Sequence, residues 1–247
     1  MVSIKSATEI AKLREGGQIL AGALEAAKDA IEPGVTTKSL EEVVVKYLAD
    51  HQSEPSFKNF RGYPAGACVC LNEEIVHGIP GPRKIKKGDL VSVDVGVRYK
   101  GLYTDAAFTV PVGKIDARRQ ELVAVTKEAL AKAIATIKPG SHLGDIGHAV
   151  ESLAGEHNLA VIRDLVGHGV GHRVHEEPQI PNFGEAGQGL ELKAGMVLAL
   201  EPMLALGGHE VSCLEDGWTF VTADGELAAH FEHTLVVTEN GVEILTG

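Results

Sequence analysis

Cysteine is scarce in this chain, and the three that occur, Cys68, Cys70 and Cys213, are an odd number without CxxC spacing. This usage argues against a disulfide framework and against a zinc ribbon, and it is typical of proteins from a reducing compartment. Free cysteine is among the most buried residue types. We therefore expect all three thiols to be small buried hydrophobic side chains.

Long apolar runs and a surplus of positive charge are also missing. No stretch is long and apolar enough for a signal peptide or a transmembrane helix, so the sequence predicts a cytoplasmic protein without membrane attachment. The 34 acidic residues outnumber the 23 basic ones and give a formal net charge of −11. Because this charge repels polyanions, stable nucleic-acid binding is not expected.

Several common catalytic motifs are absent as well. The sequence has no G-x-S-x-G nucleophile elbow, no G-x-x-x-x-G-K-[ST] phosphate loop and no H-E-x-x-H helix. The run Gly167-His-Gly-Val-Gly171 superficially suggests a dinucleotide-binding loop. It lacks the third-glycine spacing and opens no helix, so we discount that interpretation.

An internal repeat organises what is present. Ile31-Glu-Pro-Gly34 recurs as Ile137-Lys-Pro-Gly140, each with a helical pattern before and after it. The repeat continues into two strand-like runs, Lys87–Asp94 and Ala194–Glu201, each ending in an acid. No linker composition separates the copies. The repeat therefore predicts a single catalytic domain over residues 1–247, with pseudo-twofold halves of about 1–110 and 111–247.

Strand periodicity places two acids inside apolar strands. Val91, Val93, Val95 and Val97 share one face of a predicted strand and leave Asp94 on the other. The run Ala228–Val237 alternates in the same way and predicts Glu232 in a strand interior. Interleaved helices and strands with short turns such as Tyr99-Lys-Gly101 indicate an α+β fold with a largely antiparallel, strongly curved sheet flanked by helices.

A set of four acids and one histidine must be explained together: Asp94, Asp105, His168, Glu201 and Glu232. Three of the acids belong to apolar strands, where an unpaired carboxylate costs several kcal/mol. Lysines and arginines stand only at the ends of these runs, so a bound cation is the economical compensation. Four carboxylates match two divalent ions, and oxygen ligands with one imidazole suit Mn, Fe, Co or Zn. Taken singly, each acid could also be a capped or salt-bridged structural residue.

One further histidine, His77, and the glycine-rich segment around His168 are suited to a cleft. His77 precedes a Gly-Ile-Pro turn, from which an imidazole could reach a ligand. Three glycines within Gly167–Gly171 allow the backbone near His168 to approach a ligand closely. His157 and His172 are interpreted as solvated surface residues and receive no role.

With these residues in view, the chain resembles the bacterial type I methionine aminopeptidases, which have the pita-bread fold of two pseudo-symmetric halves. The likeness covers nearly the whole chain and is carried by the following segments: NEEIVHGIP (72–80), SVDVG (92–96), YTDAAFT (103–109), GHGVG with HEEP (167–178), EPM (201–203) and FEHT (231–234). The run His172-Arg-Val departs from the pattern, because a residue smaller than Arg173 is expected there. The sequence therefore does not predict the shape of the cleft wall at Arg173 and Val174.

The resemblance implies a role for each site residue. Asp94, Asp105 and Glu232 would hold one metal ion, and Asp105, His168, Glu201 and Glu232 the other. His77 and His175 would contact the substrate. Glu201 would also shuttle protons while a hydroxide between the two ions attacks the first peptide bond. Candidates for the methionine pocket are the following four residues, each of which could equally be plain core: Phe60, Tyr63, Cys68 and Trp218.

The implied activity is removal of the initiator methionine from nascent proteins and peptides when the second residue is small. Its partners would be N-terminal methionyl peptides and nascent chains, with transient ribosome contact, and the protein would be a monomer. Two alternatives remain open at this point. A prolidase or aminopeptidase P shares the fold but usually carries a further N-terminal domain, and a non-catalytic relative that binds protein or RNA would be expected to lose ligands.

Overall fold

A computed structural model describes residues 2–247. In this range the chain forms four α-helices and a 3₁₀ turn at Phe60–Gly62. The helices are α1 (Ala7–Asp29), α2 (Thr37–Asp50), α3 (Ala117–Ala135) and α4 (Leu143–Glu156). The strands are β1 (Glu54–Pro55), β2 (Cys68–Leu71), β3 (Glu74–Val76), β4 (Leu90–Tyr99), β5 (Leu102–Pro111), β6 (Ala160–Val161), β7 (Gly167–Gly169), β8 (Glu176–Ile180), β9 (Val197–Leu200), β10 (Met203–Ala205), β11 (Val211–Cys213), β12 (Phe220–Thr222), β13 (Ala228–His230), β14 (Glu232–Thr238) and β15 (Gly241–Ile244).

Both predicted helix pairs are present, and a Pro-Gly turn separates the helices of each pair. Helix α1 begins at a capping box, in which the Ser6 hydroxyl accepts from the Glu9 backbone N–H and the Glu9 carboxylate accepts from the Ser6 N–H. Gly34 and Gly140 follow the two prolines with φ of +100° and +87°. A residue with a β-carbon is disfavoured at such angles, which explains glycine at both turns.

The main sheet has nine strands, and its pairings are antiparallel. Its path runs β1-β4-β5-β14-β9-β7-β8, with β2 paired to β4 and β15 to β14. The hairpin β4-β5 of the first half lies beside β14-β9 of the second, so β5 and β14 meet at the centre. The predicted α+β class with a curved antiparallel sheet is confirmed.

Each helix pair covers the sheet strands of its own half. The four valines Val91, Val93, Val95 and Val97 are fully buried against apolar residues of α1 and α2. A second cluster joins α3 and α4 to the apolar residues of β9 and β14. With one face of β4 committed to the helices, Asp94 points away from them, as the alternation predicted.

The turn between β4 and β5 is also as predicted. Tyr99 pairs with Leu102, and the two residues between them, Lys100 and Gly101, have φ of +47° and +82°. Positive φ at both central positions is the pattern of a type I′ hairpin turn, which matches the twist of the flanking strands.

Two expectations were wrong in detail. The run Ala228–Val237 is two strands, because β13 pairs with β10 in a separate three-stranded sheet while β14 joins the main sheet. Glu232 therefore opens β14 after a break at Phe231 and is not interior to one strand. Cys213 lies at the end of β11 and is exposed, whereas Cys68 and Cys70 are buried as expected.

None of the helices within residues 2–247 combines the length and apolar character needed to cross a bilayer.

Candidate metal centre

All eleven residues singled out from the sequence line one cavity of about 540 Å³. They are Phe60, Tyr63, Cys68, His77, Asp94, Asp105, His168, His175, Glu201, Trp218 and Glu232. The segments that contribute them are far apart along the chain. The fold therefore gathers the predicted site residues around one cavity.

Neighbouring strands deliver the four carboxylates to one face of the sheet. Asp94 of β4 pairs with Ala107 of β5, and Glu232 of β14 pairs with the same Ala107 from the other side. Asp105 stands two residues before Ala107 and so shares its face. Glu201 follows the last residue of β9 directly. Antiparallel pairing of β4, β5, β14 and β9 is thus what concentrates the acids.

The imidazole of His168 is oriented by a hydrogen bond to the backbone of the next residue. Its Nδ1 lies 2.9 Å from the carbonyl oxygen of Gly169. Because a carbonyl only accepts, Nδ1 carries the proton and Nε2 keeps its lone pair. Ligand atoms of Asp105, His168 and Glu232 lie within 4.8 Å of one another, and His168 Nε2 is 3.6 Å from Glu201 Oε1.

Thr234 holds the backbone beneath the acids. Its hydroxyl accepts from the Asp105 N–H at 2.8 Å and donates to the Asp105 carbonyl at 2.7 Å. Both residues are buried. This reciprocal pair ties β5 to β14 beside Glu232, so the two central strands cannot separate without losing two buried hydrogen bonds.

Burial dominates the electrostatics of the carboxylate cluster. Burial raises the pKa of Asp94 to about 7, and hydrogen bonding with Asp105 and Cys68 partly opposes this rise. Burial and then repulsion from Asp94 raise the pKa of Glu201 well above the ordinary value. Burial followed by repulsion from nearby carboxylates raises the pKa of Asp105 and of Glu232 well above the ordinary value. One oxygen each of Asp94, Asp105 and Glu232 is buried without a hydrogen-bond partner.

These observations fit divalent cations. Buried carboxylate oxygens without donors cost free energy unless a positive group compensates, and the group that lies closest is a neutral imidazole. Burial lowers the pKa of His168 to about 4, so this side chain is an uncharged ligand near neutral pH. Hard oxygen donors with a single imidazole form a set suited to Mn, Fe, Co or Zn.

The two predicted substrate histidines line the same cavity as the carboxylate cluster. The His175 ring lies 4.3 Å from the His168 ring and 5.3 Å from the Phe60 ring, measured between centroids. Burial lowers the pKa of His77, and burial followed by the nearby His168 lowers the pKa of His175 to about 3. Both imidazoles are thus neutral at physiological pH and can donate one N–H each.

An apolar recess adjoins these rings. Tyr63 and Cys68 are buried together, and the Trp218 ring meets the Tyr63 ring edge-on at 5.2 Å. The Tyr63 hydroxyl donates a hydrogen bond to the Gly78 carbonyl at 2.9 Å, so the polar end of this side chain has a partner. Val174 packs in the same apolar cluster, and Arg173 is exposed at the cavity. These are the positions of the two residues at which the sequence departs from the family pattern.

Three residues that sequence reasoning missed support the site. His230 is buried with both ring nitrogens unpartnered, and its Nε2 is 3.6 Å from Glu201 Oε2. Lys5 is buried and pairs with Glu176 at 2.7 Å, while the other Glu176 oxygen accepts from the Arg173 N–H at 2.9 Å. The proximity of His230 to Glu232 in the chain was a usable signal, but nothing in the sequence linked Lys5 to Glu176.

The model of metallopeptidase family M24 matches residues 11–239. The chain belongs to this family. Methionine aminopeptidase 1 of Bacillus subtilis is 44% identical over 246 residues, covering 100% of this chain and 99% of that protein. The methionine aminopeptidase of Clostridium perfringens is 42% identical with the same coverage. Membership confirms the predictions of a metal-dependent hydrolase and of divalent metal cofactors.

Solved structures give the same assignment. The methionine aminopeptidase of Thermotoga maritima superposes with a TM-score of 0.98 at 50% identity and covers 100% of this chain and 99% of its own. The predicted pita-bread fold is confirmed. The prolidase of Pyrococcus horikoshii, at 24% identity and a TM-score of 0.79, shares the fold, but this chain covers only 63% of it.

Proposed function

We propose that the protein removes the N-terminal methionine from proteins and peptides whose second residue is small. The observation that carries the proposal is a cluster of three buried carboxylates, a partly buried fourth and one oriented imidazole beside an apolar recess in the same cavity. Full-length relatives at 42–44% identity bear the name methionine aminopeptidase. The expected substrates are accordingly N-terminal methionyl peptides and nascent chains.

We propose that the cluster holds two divalent ions. Asp94, Asp105 and Glu232 would hold one, and Asp105, His168, Glu201 and Glu232 the other. Asp105 and Glu232 stand centrally in this arrangement, because they come from the paired central strands β5 and β14. Bound ions would lower the pKa of a coordinated water and polarise the scissile carbonyl.

Around this centre, the protein's own side chains would orient the peptide and move the proton. His175 would donate its N–H to the carbonyl oxygen as negative charge develops there, and His77 would hydrogen-bond the peptide nitrogen. A neutral imidazole can serve both tasks, and the lowered pKa values keep both rings neutral. Glu201 would carry the proton from the attacking water toward the leaving amine.

The recess formed by Phe60, Tyr63, Cys68 and Trp218 would receive the methionine side chain. Its walls are apolar or aromatic, and a flexible thioether makes favourable contacts with ring edges. Burial raises the pKa of the Cys68 thiol well above its ordinary value, so this wall carries no charge. A charged first residue would lose its hydration there without finding a partner.

We also propose that residues 1–247 act as one catalytic domain whose halves meet at β5 and β14, and that the protein works as a monomer in the cytoplasm. Transient contact with the ribosome would place it near emerging N-termini. Size-exclusion chromatography with light scattering tests the monomer, and ribosome co-sedimentation tests the contact.

The deciding experiment follows release of free methionine from Met-Ala-Ser and Met-Lys-Ser. Metal-stripped protein is supplied in turn with Mn, Fe, Co and Zn. We expect cleavage of Met-Ala-Ser with at least one ion and little cleavage of Met-Lys-Ser. Cleavage of X-Pro peptides without release of methionine from Met-Ala-Ser would instead assign the proline-directed activity of the prolidase type.

A further inference from the structure

Two arginines at the cavity differ from the other arginines of the described residues, because they form no ion pair. The chain has eight arginines, at positions 14, 61, 83, 98, 118, 119, 163 and 173. Within residues 2–247, six of them have a carboxylate oxygen within 3.4 Å of the guanidinium. Arg61 and Arg173 have none within the 4.0 Å that defines an ion pair, and these two line the active-site cavity.

This arrangement is unexpected for an acidic protein. With 34 acidic residues against 23 basic ones, a carboxylate is available to most exposed arginines. Both Arg61 and Arg173 are exposed, and no side-chain acceptor lies within hydrogen-bond distance of either guanidinium in the described part of the chain. Their donors are therefore free to bind a ligand, and the planar guanidinium is suited to a carboxylate because it offers two parallel N–H groups.

Their position relative to the substrate histidine shows which part of a peptide they can reach. The guanidinium carbon of Arg61 lies 5.4 Å from the Phe60 ring centre, and that ring lies 5.3 Å from the His175 ring. Arg173 is two residues before His175 in the chain, and its backbone N–H is fixed by Glu176. Both arginines are thus exposed at the cavity, near Phe60 and His175.

We infer that Arg61 and Arg173 form a subsite for a negatively charged group on the peptide downstream of the scissile bond. The inference rests on the proposed function, which places the scissile carbonyl at His175. An aminopeptidase holds only the first residue in its recess, so the rest of the peptide extends along the exposed part of the cavity, where both guanidinium groups lie. An extended chain advances about 3.3–3.6 Å per residue, and the anion-binding position is assigned to the third residue. The anion is an acidic side chain at that position or the terminal carboxylate of a short peptide.

Glu177 lines the same cavity and is exposed. It forms no ion pair with either arginine in the described residues, so it leaves their donors available. Glu176 is already neutralised by Lys5. The charge that an incoming third residue meets is therefore set mainly by the two arginines.

The test compares kcat/KM for the C-terminally amidated peptides Met-Ala-Asp-Gly, Met-Ala-Asn-Gly and Met-Ala-Lys-Gly, assayed with the metal-loaded enzyme. One exposed ion pair changes an equilibrium by about 1.5- to 5-fold. We expect the Asp peptide to exceed the Lys peptide by about fivefold at low salt. The ratio should approach one in Arg61→Gln/Arg173→Gln and should fall in wild type at high ionic strength.

Arg98→Gln is the matched control for the single variants Arg61→Gln and Arg173→Gln, because Arg98 is exposed, lies outside the cavity and its replacement changes the net charge by the same amount. It should keep the wild-type ratio. If the double variant does not fold, the two single variants and the salt dependence of wild type test the same point. A second pair, Met-Ala-Ser with and without a C-terminal amide, identifies the terminal carboxylate as the anion if only the free acid gains.

A wild-type Asp-to-Lys ratio near one, together with no gain from the free carboxylate, would overturn the inference. The same holds if the ratio persists in the double variant. Either result leaves the proposed function intact, because methionine is still released. Failure to release methionine from the Asn peptide with any divalent ion would instead refute the proposed function itself.

Discussion

Removing the metal should make this protein less stable as the pH rises, and Asp94 gives the size of the effect. In the folded metal-free protein, burial raises the pKa of Asp94 from 3.8 to about 7. In the unfolded chain, the same carboxyl ionises near 4. Between these values the folded state binds the proton and the unfolded state does not, so stability falls with increasing pH.

The magnitude follows from the linkage relation. Each pH unit well inside this window contributes about 1.4 kcal/mol for one carboxyl, and the contribution falls near pH 7, where the folded-state carboxyl is half ionised. Raising the pH from 5 to 7 should therefore cost about 2 kcal/mol through Asp94. Asp94→Asn removes this contribution, since the amide does not titrate. It also lessens repulsion on Asp105 and Glu201, which acts in the same direction.

The assay is urea unfolding of wild type and Asp94→Asn in the presence of EDTA at pH 5 and pH 7. We expect the variant to gain about 2 kcal/mol relative to wild type over this range. Saturating Mn²⁺ should reverse the trend, because the ion binds the ionised carboxylates of wild type. A stability difference that does not change with pH would refute the description of Asp94 as a buried, uncompensated carboxyl.

Three further results are expected from the geometry. Asp105→Ala and Glu232→Ala should each abolish turnover and reduce bound metal, measured by elemental analysis; full activity on Met-Ala-Ser would contradict their shared role. His77→Ala should lower kcat/KM by roughly 100-fold while metal content stays at the wild-type value, because the role proposed for His77 is to bind the peptide nitrogen; equal loss of metal would show that it is a ligand. Lys5→Met should destabilise the protein by about 3–5 kcal/mol in urea unfolding, because it removes the ammonium group that pairs with the partly buried Glu176; a change below about 1 kcal/mol would show that water replaces the ion pair.

The sequence was most informative where a regular period carried the chemistry. Alternation in β4 places Asp94 opposite the four buried valines, and this is a property of any strand with one covered face. The duplicated order of helix, Pro-Gly and strand also indicated that acids from both halves would meet. These inferences required no knowledge of loop conformation.

Prediction was weaker where the chain changes sheets or where distant segments meet. Apolar alternation runs through Phe231 without a gap, yet the backbone leaves one sheet there and enters another, because pairing partners and not periodicity decide strand boundaries. Lys5 and Glu176 are 171 residues apart in the chain, and neither carries a local signal. For His230 the only signal was its closeness to Glu232 in the sequence, and its distance to Glu201 shows that it belongs to the site.

The most direct test of the account is a titration of metal-stripped protein with Mn²⁺ in which bound metal and methionine release from Met-Ala-Ser are measured together. The account predicts no release without metal, binding that saturates at two ions per chain, and loss of both binding and release in Asp105→Ala. Full methionine release by the metal-stripped protein, or undiminished metal binding by Asp105→Ala, would contradict it.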